Sequence, residues 1–152
     1  MKKIFLIIPF LFLCFFAKAQ TEVTIYGFYN TINGKHFYST NQYEVHVGTG
    51  GWVQDAPLGN LYAPASGTAV YRYYNSDTGA HFYSTTTNPP GGFHLEGIMG
   101  IEAYPPLINY GRQQAVYGYL NPSTHDYYFS FSSTPPTGWT SIGIQFYTFP
   151  CC

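Results

Sequence analysis

The stretch Val70-Tyr71-Arg72-Tyr73-Tyr74-Asn75, continuing through Ser76-Asp77-Thr78-Gly79 into Ala80-His81-Phe82-Tyr83-Ser84-Thr85, occurs three times in this chain. An earlier copy reads Ile25-Tyr26-Gly27-Phe28-Tyr29-Asn30, then Gly34-Lys35-His36-Phe37-Tyr38-Ser39-Thr40. A later one reads Val116-Tyr117-Gly118-Tyr119-Leu120-Asn121, then Asp126-Tyr127-Tyr128-Phe129-Ser130-Phe131. The copies start 45 and 46 residues apart. Gly51-Trp52, Gly92-Phe93 and Gly138-Trp139 recur once in each unit and open segments that run to Tyr62, Tyr104 and Tyr147. Recurrence at a fixed period signals a fold built from repeated units.

Each unit reads as short strands. Aromatic and β-branched residues favour a pleated backbone. Asn starts a turn through its side chain and Gly supplies a residue with positive φ, so the first two segments read as a hairpin. A Pro/Gly/Thr loop, Thr86 to Gly92, leads to a third strand, and a fourth ends at Tyr104 before Pro105-Pro106. Three units predict an all-β fold of about twelve short strands with a pseudo-threefold repeat, at about 23–66, 67–112 and 113–150. Threefold closure removes exposed sheet edges. The β-trefoil is the expected form, with a β-sandwich or a three-bladed propeller as alternatives. Tyr26, Tyr71 and Tyr117, with Trp52, Phe93 and Trp139, are expected in the core.

Composition sets the class. The chain has 152 residues, 45% hydrophobic and 9% charged, with 16 Tyr and 13 Phe. Residues 1–19 read as a secretory signal: Lys2 and Lys3, then apolar Ile4 to Phe16, then Ala17-Lys18-Ala19 as the cleavage site. The apolar run is shorter than the ~20 residues of a membrane-spanning helix. Leu11-Phe12-Leu13-Cys14 has the outline of a lipoprotein signal, but the large Leu13 fits such a site poorly. The expectation is a secreted or cell-surface single domain, residues 20–152, with no membrane span.

In that domain Lys35, Arg72 and Arg112 stand against seven carboxylates, a net charge of −4. Three cations make no basic patch, which excludes phosphate-neutralising nucleic-acid binding. Disordered chains are charge-rich and aromatic-poor, the reverse of this composition. Cys151 and Cys152 remain after cleavage, adjacent at the C-terminus. They can bridge each other, pair with another chain or stay reduced; no distant partner exists for a disulfide framework.

The repeat-two residues Val70 to Asn75, Thr78 to Thr85 and Glu96-Gly97-Ile98 are similar to a secreted repeat family of unknown function. Its units read V-Y-R-F-Y-N, T-G-x-H-F-Y-T and G-W-x-x-E-G-I. Repeat one departs at Gly27 and Asp55-Ala56-Pro57; repeat three has Tyr127 for His, His125 for the turn Gly and Ile142 for Glu. The resemblance implies an extracellular, non-catalytic, sugar-binding module and brings no established active site.

Candidate chemistry is sparse. A zinc centre needs three or four converging ligands. His36 and His81 share one repeat position and Tyr127 takes the third, so these rings read as hydrogen-bonded to turn backbone. Glycosidases need two carboxylates across a scissile bond. Asp55 and Glu96 are repeat equivalents, but Ile142 breaks the set. Ser39, Ser84 and Ser130 recur without a nucleophile elbow, which suggests cross-strand hydrogen bonds. The positive signal is the surplus of Tyr, whose rings stack on sugars and carry a polar handle. The reading is therefore a binding module without metal, cofactor or catalytic residue, with a structural module as an alternative and a secreted hydrolase or inhibitor behind both. Its partner is a glycan or, alternatively, a cell-surface protein. Arg72, Tyr73, Asn75, Asp77 and His81 of repeat two are the candidate ligand residues.

Overall fold

The computed structural model describes residues 21–64, 67–103 and 113–151. Residues 1–20, residues 65–66, Tyr104 to Arg112 and Cys152 lie outside the described residues, and with them the expected cleavage site and the end of the fourth strand of unit two. Eleven strands are present: β1 Glu22–Thr24, β2 Tyr26–Asn30, β3 Lys35–Ser39, β4 Trp52–Asp55, β5 Asn60–Tyr62, β6 Ala69–Asn75, β7 Ala80–Ser84, β8 His94–Ile101, β9 Gln114–Asn121, β10 Asp126–Ser130 and β11 Thr140–Thr148. There is no helix among the described residues, hence none long and apolar enough to cross a membrane.

The all-β expectation is met, but the strands form three small antiparallel sheets and not the closed barrel of a β-trefoil. Sheet one runs β3-β2-β4 and sheet three β10-β9-β11; sheet two repeats that order as β7-β6-β8 and adds β5 and β1 beyond β8. Unit one alone keeps its third and fourth strands separate. In units two and three the corresponding segments fuse into the bulged strands β8 and β11. In unit one Asp55-Ala56-Pro57 interrupts the chain, because Pro has no N–H to continue a ladder. The next strand, β5, leaves its own sheet and pairs with β1 and with the end of β8. Asn60 also exchanges backbone hydrogen bonds with Phe149, tying the first unit to the last.

The hairpin turns form as the sequence predicts. Asn30, Asn75 and Asn121 each accept two backbone N–H groups on Oδ1, from residues two and three ahead. Each also accepts, on its carbonyl, the N–H of the left-handed residue: Gly34, Gly79 or His125, all at 2.8 Å. His125 holds φ 54°, a conformation costing a non-glycine residue ~1–2 kcal/mol. The serines differ from expectation. Ser39, Ser84 and Ser130 do not bridge strands; each accepts the N–H of the residue two ahead, turning the chain as it leaves the second strand.

The second strands β3, β7 and β10 meet at the centre, and there the three sheets are fastened. Tyr38, Tyr83 and Phe129, one from each strand, are buried edge-to-face in a ring, with centroids 5.5, 5.3 and 5.6 Å apart and planes at 85–88°. The Tyr83 hydroxyl donates to the Tyr38 carbonyl and accepts the Tyr38 N–H, both at 2.9 Å. The Tyr38 hydroxyl makes the same clasp on Phe129, at 3.1 Å. Phe129 has no hydroxyl, so the cycle stops one clasp short of Tyr83. Burial pushes both phenols well above their ordinary ionisation range, so both stay protonated and donate.

This arrangement corrects the expected faces. Tyr26, Tyr71 and Tyr117 are only half-buried, as are Trp52, Phe93 and Trp139. The buried positions of the first strands are Ile25, Val70 and Val116, with Phe28, Tyr73 and Tyr119. A simple in-out alternation assumes one wet face. Here sheets pack on one another around the centre, so neighbouring positions such as Phe82 and Tyr83 are both buried.

Tyr83→Phe should destabilise the fold by about 1–3 kcal/mol, since it strips a buried N–H and C=O of their partner. Phe129→Tyr should raise the melting temperature by supplying the third clasp. Thermal or urea unfolding of both variants checks this; a destabilised Phe129→Tyr would contradict the cyclic equivalence of the three positions.

Candidate functional site

Each junction between sheets repeats one aromatic arrangement. A ring near the start of the second strand packs against a second-strand ring of the adjacent sheet, beside that sheet's third-strand ring. Between sheets two and one, His81 lies 4.7 Å from Phe37, which is 6.2 Å from Trp52. Between sheets three and two, Tyr127 lies 5.2 Å from Phe82 and 5.6 Å from Phe93. Between sheets one and three, His36 lies 5.0 Å from Tyr128 and 5.7 Å from Trp139, with Tyr29 of its own hairpin 4.9 Å away. The half-buried Trp52, Phe93 and Trp139 thus sit at junctions and not in a single core.

The polar chemistry of the junctions differs. In repeat two Arg72 is saturated by two carboxylates. Its Nη1 and Nη2 reach both oxygens of Glu44 at 3.0 and 2.9 Å, and its Nε reaches Glu96 at 2.9 Å. The guanidinium also lies 5.2 Å from the centroid of the Phe37 ring. Nε2 of His81 is 3.3 Å from Glu96. Burial, then the Arg72 charge, push its imidazole down to about 4. His81 is therefore neutral near neutrality, with its Nε2 edge turned towards the carboxylate. Glu44 is held below the usual carboxylate range by hydrogen bonds from Arg72 and Ser39, which together outweigh its partial burial.

The predicted residues of repeat two are thus mostly engaged within the protein. Tyr73 is buried and donates its hydroxyl to the Thr86 carbonyl at 2.6 Å. Asn75 is buried and shapes the turn; Asp77 is exposed on that turn. Arg72 and His81 come together with Glu44 and Glu96, not with Asp77. Neither histidine bonds turn backbone as expected: both reach carboxylates.

The junction of sheets one and three is built otherwise. Asp126 opens β10 where the other units have Lys35 and Ala80, and it is fully buried. Its Oδ2 accepts from His36 Nδ1 at 2.7 Å and from the His36 backbone N–H at 3.1 Å. In the neutral ring, Nδ1–H given to Asp126 leaves Nε2 as the acceptor. Lys35 donates its ammonium to the Thr124 carbonyl at 2.7 Å, across the same junction. Beside these groups opens a cleft of about 670 Å³. Tyr29, His36, Tyr128 and Trp139 supply its rings, while Gln54, Asp55, Asn121 and Thr124 supply polar groups. The volume falls in the ~300–1,000 Å³ range of small-ligand sites. Among the described residues no three His, Cys, Asp or Glu side chains gather as a metal site.

A family model described as a domain of unknown function (DUF5648) matches residues 13–90. The chain belongs to this family. The match takes in the first unit and the first hairpin of the second, and stops before the third. No curated protein and no solved structure matches the chain.

Repeat two makes stability acid-sensitive. The unfolded imidazole of His81 titrates near its ordinary ~6.5 and the folded one at about 4. Between these values the unfolded chain binds more protons, so stability present above ~6.5 is lost as pH falls towards 4. Glu44, with its lowered carboxyl, adds a loss in the same direction at lower pH. The melting temperature should fall from about pH 7 to about pH 4, and His81→Gln should flatten that slope. An unchanged slope in the variant would contradict the assignment.

Proposed function

We propose that this chain is a secreted, non-catalytic module that binds carbohydrate, in the cleft between sheets one and three. The observation carrying the reading is the side-by-side setting of Tyr29, Tyr128 and Trp139 with Gln54, Asp55, Asn121 and the His36 acceptor. Aromatic rings offer rigid, apolar contact area with a polar tip. Sugars match this by presenting C–H faces to stack and hydroxyls to bond. The proposal sets the ligand at this junction and not on the repeat-two hairpin, because Arg72 and His81 already have carboxylate partners. Its pseudo-threefold frame then acts as a scaffold whose units have diverged in function.

Binding here needs no bond rearrangement. His36, oriented by buried Asp126, accepts a hydroxyl through Nε2; Asp55 and Gln54 take others; the rings hold the pyranose face. A second reading, a protein-docking module, draws on Leu95 and Ile98, both more than half exposed on β8.

A glycan array followed by calorimetry tests the choice. Trp139→Ala should weaken binding of an array-identified glycan at least tenfold while the all-β circular dichroism is kept. Asp77→Ala should leave affinity unchanged. The opposite pattern would return the site to repeat two, and an array with no hits would favour the protein-docking reading.

A further inference from the structure

The cleft has a neighbour. A second hollow of about 530 Å³ lies under the segment between β3 and β4, lined by Gln42, Tyr43, His46, Val47 and Thr49. Gln54 lines both hollows. It sits on β4, the outer strand of sheet one, so the two hollows flank one sheet edge. Each alone has the volume of a small-molecule site, and Gln54 is the wall they share.

Only unit one can build the second hollow. Twelve residues separate Ser39 from Trp52, against eight from Ser84 to Phe93 and eight from Ser130 to Trp139. The longer segment is held in place. Glu44, within it, grips Arg72 of sheet two with both oxygens. The Thr49 N–H and hydroxyl both donate to the His46 carbonyl, and the Gly48 N–H donates to the Trp52 carbonyl at 2.9 Å. On this anchored segment Tyr43 is 77% exposed. Tyr43 thus presents a rigid aromatic face with a polar tip to solvent, free to stack on a ligand.

Resting on the carbohydrate reading of the first cleft, we propose that the ligand is a linear oligosaccharide. It runs from the Trp139 cleft over Gln54 into the second hollow, where Tyr43 stacks a further sugar unit. Arg72 then has a part in binding after all, as the anchor that fixes the Tyr43 loop through Glu44. Pre-set loops bind more tightly because less ordering is left to do.

Calorimetric titration with cello-, xylo- and chito-oligosaccharides of two and six units tests this. For the series that binds, the six-unit chain should bind at least tenfold tighter than the two-unit chain. Tyr43→Ala should remove that gain and leave the two-unit affinity unchanged. Ile32→Ala, equally exposed but lining neither hollow, should leave both affinities as they are. Two-unit binding with no gain in length, or a gain that survives Tyr43→Ala, overturns the extension alone. Absence of binding at either length overturns the carbohydrate reading with it.

Discussion

The buried ring of Tyr38, Tyr83 and Phe129 is the point on which the three sheets depend. None of the sheets has enough strands to bury both of its faces. An isolated hairpin is marginal in water, and a small sheet is stable only when an apolar face is covered. The edge-to-face ring gives each second strand an apolar partner in the other two sheets. The tyrosine clasps then pair backbone groups that face the centre and have no strand beside them. A buried amide without a partner is costly, so the hydroxyls both decorate the core and make its closure possible. Phe129 marks the one place where that closure relies on packing alone.

A symmetric hub leaves the periphery free to diverge. At the same repeat position His36 bonds the buried Asp126, His81 leans on Glu96, and Tyr127 sits among phenylalanines. Repeat two spends its charges on an internal network that joins sheet two to the loop of unit one. The junction of sheets one and three keeps its rings beside an open cleft. One framework thus yields one junction fastened by ions, one by rings and the Thr85–Gln145 hydrogen bonds, and one that opens into a cleft.

The strand-rich fold, the threefold period and the Asn-initiated turns were all legible, because each rests on local patterns: aromatic runs, Asn followed by Gly, and spacing. The faces were not. Reading Tyr71 as core assumed one wet face, whereas Val70 and Tyr73 are the buried residues. The departure of β5 to another sheet had only a faint sign, the Asp55-Ala56-Pro57 break. The cleft was invisible for a plainer reason: His36 and Asp126 are 90 residues apart, and no spacing rule joins them. The available hint was a lone acid at the head of β10, where the other units carry Lys or Ala.

The central claim is that one of three equivalent junctions binds ligand. It is tested most directly by amide chemical-shift mapping during titration with an array-identified glycan. Gly34, Gly79 and His125 occupy the same turn position in the three units, and Gly34 alone of them lines the cleft. The account predicts that the Gly34 amide and the Trp139 indole shift while the Gly79 amide stays still. Equal shifts at all three turns, or a shift confined to Gly79, would contradict it.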